Sequence, residues 1–167
     1  KGLAAALGRS EEFEVADIGT FETFIPFCSA HADVFRENSR LMRSVGITAP
    51  ALWTNCRWEN LDPLSVPSRR SLKNETVKLE MMRGERRAFT VNIANPGKEP
   101  FSCQVKLEGF GQDFKANLAE VLYSETVQFK TVSSALRFAE GETLSCKVHA
   151  GTSLQVWVSV VRQEMNA

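Results

Sequence analysis

Residues 76–98 read Thr76-Val77-Lys78-Leu79-Glu80-Met81-Met82-Arg83-Gly84-Glu85-Arg86-Arg87-Ala88-Phe89-Thr90-Val91-Asn92-Ile93-Ala94-Asn95-Pro96-Gly97-Lys98. Val77, Leu79 and Met81 alternate with Lys78, Glu80 and Met82, and Phe89, Val91 and Ile93 alternate with Thr90, Asn92 and Ala94. A period of two sends successive side chains to opposite sides of a pleated strand, so each run predicts a strand with one buried face. Arg83-Gly84-Glu85 predicts a hairpin-like turn between them. Asn95-Pro96-Gly97-Lys98 is a stronger turn, because Pro presets one backbone angle and Gly accepts a positive one.

The same pattern continues toward the C-terminus, at Phe101-Cys103-Val105-Leu107, Leu118 to Val127, Leu136-Phe138, Leu144-Cys146-Val148 and Leu154-Val156-Val158-Val160. Short strands separated by turn signals, with no helix between them, predict a mainly β protein: an antiparallel two-sheet sandwich of immunoglobulin-like type, over residues 76–167. Toward the N-terminus, residues 49–75 contain Pro50, Pro63 and Pro67 and predict an extended connector with one apolar knot, Leu52-Trp53-Thr54-Asn55-Cys56-Arg57-Trp58. Residues 1–48 predict an N-terminal helical segment. Phe21, Phe24, Ile25, Cys28, Val34, Phe35, Leu41, Met42 and Val45 recur at three- and four-residue steps, and Gly46 stops the run. Thr20 can cap this helix, or Pro26 can displace its start to about Ser29. Before it, Gly2 to Leu7 suits the end of a preceding helical region. With Lys1 in first position, the sequence reads as a piece of a longer or processed protein.

The 167 residues are 43% hydrophobic and 24% charged, a composition that fits one globular domain. Twenty Lys and Arg balance twenty Asp and Glu. Without a concentrated basic surface, nucleic acid and anionic membranes are not the expected partners, and no apolar run reaches the roughly 18 residues of a membrane-spanning helix. Cys28, Cys56, Cys103 and Cys146 include no CxxC pair and no zinc-finger spacing with His, so neither a metal site nor a cofactor is expected. The plain expectation is buried thiols. Cys103 and Cys146, both in phase with apolar neighbours, are the candidate pair for a disulfide.

His31 and His149 are the two histidines, and neither lies in a nucleophile motif; no GxSxG, P-loop, HExxH or dinucleotide fingerprint occurs. No pair of carboxylates is placed for glycosidic hydrolysis, so no catalytic residue is expected. Arg69-Arg70 and Arg83, Arg86 and Arg87 read as solvated turns. Asn74-Glu75-Thr76 fits a glycosylation acceptor. The aromatics are the more informative candidates, because a sugar ring can lay its CH face on an indole. Trp53 and Trp58, with Asn55 between them, are candidate ligand-binding residues; the competing expectation is that the two indoles plug the seam between helix and sandwich. Trp157 lies out of phase with Leu154, Val156 and Val158, which makes it an interface candidate toward a neighbouring domain or the helical segment.

The run Met81-Met82-Arg83-Gly84-Glu85-Arg86-Arg87-Ala88-Phe89-Thr90-Val91-Asn92-Ile93-Ala94-Asn95 and the later Val148-His149-Ala150-Gly151-Thr152-Ser153-Leu154-Gln155-Val156-Trp157-Val158 together resemble a known family. They are similar to the β-sandwich accessory domains that precede the barrel in large secreted, glycoside-hydrolase-like bacterial proteins. The resemblance covers roughly residues 50–167, with His149 standing where Pro is common. It implies a noncatalytic accessory domain of a larger carbohydrate-active protein, extracellular or periplasmic, whose partners are neighbouring domains of the same parent chain and polysaccharide. It also implies catalytic groups outside these residues, and a further strand beyond Ala167 whose absence leaves an exposed edge. The alternative is a protein-interaction or adhesion module built on the same immunoglobulin-like sandwich.

Overall fold

A computed structural model describes residues 29–56, 59–73, 76–127 and 130–163. Helix α1 spans Ser29–Ser44. Seven strands follow: β1 Ala51–Asn55, β2 Arg86–Ala94, β3 Phe101–Lys106, β4 Phe114–Val127, β5 Lys130–Phe138, β6 Thr143–Val148 and β7 Ser153–Arg162. The strands make two antiparallel sheets, one of order β1-β2-β7-β4-β5 and one pairing β3 with β6. The chain is therefore mainly β and sandwich-like, with its helix on the N-terminal side.

Helix α1 ends as its sequence requires. Gly46, at a φ of 95°, supplies the left-handed residue. Its N–H donates to Arg43 O, and the Ile47 N–H reaches back to Met42 O, both at 3.0 Å. This is the paired closure of a Schellman cap, and its apolar clasp is present because Met42 and Ile47 are buried in one cluster. Ser29 is the first described residue; Thr20 and Pro26, the alternatives for the helix start, lie outside the described residues, as do Cys28 and the Gly2 to Leu7 run.

Two apolar layers sit on opposite sides of the large sheet. Ile93, Leu118, Val156, Val158 and Val160 face Leu144, Cys146 and Val148 of the small sheet and form the inter-sheet core. On the other side Met42, Ile47, Trp53, Leu61 and Ala94 close the seam with the helix. The expectation of one buried face per strand is thus corrected for β2 and β7: Thr90, Asn92 and Gln155, polar residues of the alternate phase, are buried as well.

Two other expectations change. Residues 76–82 form no strand, although Val77, Leu79 and Met81 alternate. The Arg86–Phe89 part of β2, which a hairpin through Arg83–Glu85 would place beside this run, pairs with β7 alone, so the alternation goes unused although a ladder beside it is vacant. Met82 is 74% exposed. The connector, in turn, supplies β1 to the sheet edge. Strand β7 lies inside the sheet between β2 and β4, and the edges of the large sheet are β1 and β5.

Candidate functional site

The face of the large sheet that carries α1 brings together three of the residues singled out in sequence. Directly opposed pairs across antiparallel strands share a face. One row runs Asn55, Thr90, Trp157, Ala119 and Phe138 across β1, β2, β7, β4 and β5. The neighbouring row begins Trp53, Asn92 and Gln155.

The centre of this face is a hydrogen-bonded chain of polar side chains. Trp157 Nε1 donates to Gln155 Oε1 at 3.0 Å, and Gln155 Nε2 donates to Asn92 Oδ1 and to Glu59 O, both at 3.2 Å. Asn92 Nδ2 donates to Asn55 Oδ1 at 3.0 Å, which also accepts from Thr90 Oγ1. Asn55 Nδ2 completes the chain by donating to Glu59 O at 3.0 Å. Thr90 and Asn92 are wholly buried and Gln155 is 2% exposed. Buried amides are costly unless paired, and here each is paired, so the connector is latched to the sheet and the Trp157 indole is held in one orientation.

The three aromatic candidates fare differently. Trp53 is 6% exposed, packed between Met42 and Ile47 of the helix end and Leu61 and Ala94, which is the seam-plug arrangement. No flat face is left there for a sugar ring. Trp58 lies outside the described residues, and Asn55 belongs to the buried polar chain. Trp157 is only partly covered on the outward face of the sheet, and Phe138 on the edge strand is 69% exposed. Phe138 was read in sequence only as a strand residue; its place opposite Ala119, and through it in line with Trp157, is set by a strand order that no local pattern encodes.

The opposite, inward face holds the cysteine pair. Cys103 and Cys146 are directly opposed in the β3–β6 ladder, and both are free thiols. Cys56 is free and exposed, contrary to a buried role for every cysteine. Glu120 of β4 shares the inward phase of Leu118 and is 5% exposed. It is ion-paired with Arg137, whose Nη2 also donates to Ser145 O of β6 at 2.6 Å, tying the two sheets together. Burial raises the Glu120 carboxyl above its usual range although Arg137 opposes the shift. The Cys146 thiol is pushed up to about 12, first by burial and then by the nearby Glu120. Thiols so disfavoured as thiolates are poor nucleophiles at neutral pH.

His149 stands at the end of β6, beside a cleft under α1. Burial, with the Lys147 charge adding to it, lowers its pKa, so the ring is neutral at pH 7. Among the described residues no group of three or more His, Cys, Asp or Glu is arranged to hold a metal ion. No helix of the described residues is long and apolar enough to cross a membrane. Compared with known proteins, the chain matches no protein-family model and no curated protein.

Proposed function

We propose that this chain is a noncatalytic accessory domain of a larger carbohydrate-active protein, one that positions a neighbouring domain and offers a glycan-stacking platform on its large sheet. The observation that carries the proposal is the row Trp157, Ala119 and Phe138. Two aromatic residues flank a methyl-sized residue on one sheet face, their backbones roughly 10 Å apart at two strand spacings. Trp157 has its indole N–H committed to Gln155, which leaves the ring as an apolar surface of fixed orientation. Such a surface suits the CH face of a pyranose, and the same strip suits a flat neighbouring domain.

Affinity electrophoresis over a panel of polysaccharides tests the glycan platform. Phe138→Ala, whose side chain is exposed, is expected to keep the fold and to abolish retardation. Retardation by no polysaccharide, or retardation unchanged in Phe138→Ala, overturns the platform. A second reading, a protein-interaction module, is favoured by the location of Leu136 and Phe138 on the edge strand β5, where exposed backbone groups can pair with another chain. Sedimentation that shows concentration-dependent association, removed by Phe138→Lys, would favour it over the glycan.

A further inference from the structure

A cleft of about 520 Å³ lies between α1 and the two turns that carry Gly97–Pro100 and His149–Ala150. That volume is in the range of small-molecule sites. Its walls are cationic on both sides: Arg36, Arg40 and Arg43 come from one face of the helix and Lys98 from the opposing turn, while Glu99 is the single carboxylate among the lining residues. Phe35 adds an apolar surface.

The cations are not equally available. Arg36 is paired with Asp33 at 2.6 Å, and Arg40 with Glu37. Arg43 is fixed differently. Its Nη1 donates to Ser39 Oγ at 2.7 Å and to Pro96 O at 2.6 Å, two neutral acceptors that hold the guanidinium in place without neutralising it. Its positive charge, delocalised over the guanidinium, is not cancelled, and the fork is already ordered, so little further entropy is lost when an anion binds. Lys98 makes no ion pair among the described residues.

His149 adds the second observation. The residue lines the cleft, and its Nε2, covered in this structure, has no hydrogen-bond partner among the described residues. Buried polar atoms are nearly always satisfied, so one left over on a residue that lines a cationic cleft points to a partner reached by a turn of the ring toward the cleft.

We infer that this cleft binds a small oxyanion-bearing ligand, a carboxylate or sulfate group on a compact body, held by Arg43 and Lys98, with the His149 ring turning to bring Nε2 to the ligand. In the neutral ring the tautomer with its proton on Nε2 donates to the anion, and the apolar Phe35 wall accommodates the body of the ligand. This site is separate from the aromatic row and stands whether or not that row binds glycan.

Titration calorimetry of the whole chain with D-glucuronate and with sulfate, in chloride buffer and beside neutral D-glucose, tests the inference. The side-chain nitrogen signals of His149 are followed by NMR. Saturable binding of either anion is expected, with a shift at the His149 ring. Lys98→Ala and His149→Phe are each expected to weaken binding roughly tenfold, since charge-assisted hydrogen bonds are the stronger kind. Arg43→Met also loosens the helix, so Lys98→Ala, which removes no described contact, is the decisive variant. Glucuronate binding without sulfate supports the site and identifies a carboxylated ring; binding of both supports it and identifies the bare oxyanion. No saturable binding of either, equal binding of D-glucose, or affinity unchanged in Lys98→Ala and His149→Phe overturns it.

Discussion

Strands β2 and β7 bury both of their faces, but with opposite chemistry. Toward the small sheet they present Ile93, Val156, Val158 and Val160; toward the helix and connector they present Thr90, Asn92 and Gln155, no less buried. The apolar face stabilises through area and tolerates any partner that fills space. The polar face stabilises only when donors meet acceptors, so it fixes which backbone lies over it and at what register. Helix docking follows the polar logic. Asn38 Nδ2 donates to Leu64 O at 3.1 Å and to Gly151 O at 2.8 Å, and Ser39 Oγ lies 2.8 Å from both Pro96 O and Gly97 O. The buried stripe of α1 is therefore Phe35, Asn38, Ser39 and Met42, while Leu41 and Val45 face outward.

The sharpest way to break the polar side is to push the helix off it. Gly151 has a φ of +69°, and a Cβ built there would fall 1.8 Å from Phe35 O. Backbone meets backbone, with no flexible side chain to give way. Gly151→Ala is expected to cost at least about 3 kcal/mol, combining left-handed strain with displacement of α1. Urea unfolding would show the loss, and limited proteolysis would show cleavage within residues 29–46 before the sandwich yields. A loss of stability under about 1 kcal/mol, with no new cleavage, would mean the helix does not need this contact.

A matched pair of substitutions compares the two faces directly. Leu118→Ala on the inward face removes a buried side chain and leaves a cavity, for an expected loss of about 3 to 4 kcal/mol. Asn92→Ala on the polar face leaves Gln155 Nε2 and Asn55 Oδ1 each short of a partner, for about 2 kcal/mol. The double variant Asn92→Leu with Gln155→Met separates the mechanisms. Removing both partners at once should cost clearly less than the sum of the single losses, whereas simple additivity in urea unfolding would refute a coupled network.

Much of the sandwich was legible because it rests on local periodicity. Phe89 to Ile93, Phe101 to Val105, Leu144 to Val148 and Leu154 to Val160 all became strands. The failures are nonlocal. Val77 to Met81 has the same alternation but joins no ladder, although the adjoining Arg86–Phe89 of β2 is paired on one side only, because pairing is not written in one strand's sequence. Asn92 and Gln155 looked solvent-facing because a polar residue in the alternate phase reads the same whether water or a connector lies over it. The opposite phase of Trp157 was readable; its alignment with Phe138 depended on β4 lying between β7 and β5. The His149 Nε2, without a partner among the described residues, left no sequence signal at all, since its setting arises from two turns and a helix far apart in the chain.

The smallest expected effect probes the inward face, where one charge interrupts the hydrocarbon. Glu120 has a folded pKa raised above its ordinary 4.5 by burial, against the pull of Arg137. Between 4.5 and the higher folded value, the native state holds a proton that the unfolded chain has released. Its contribution to stability is therefore fullest below 4.5 and is lost as pH rises through the folded pKa, the reverse of a carboxylate stabilised by its ion pair. His149, lowered from 6.5, acts in the opposite direction on the pH scale: its contribution is present above 6.5 and declines as pH falls through its folded value. Urea midpoints measured across acidic pH should fall with rising pH just above 4.5, and Glu120→Gln should flatten that segment while leaving the histidine-dependent segment in place. An unchanged slope in Glu120→Gln would mean that Arg137 outweighs burial, and that the inward face accommodates an ionised pair as readily as the outward face accommodates its amides.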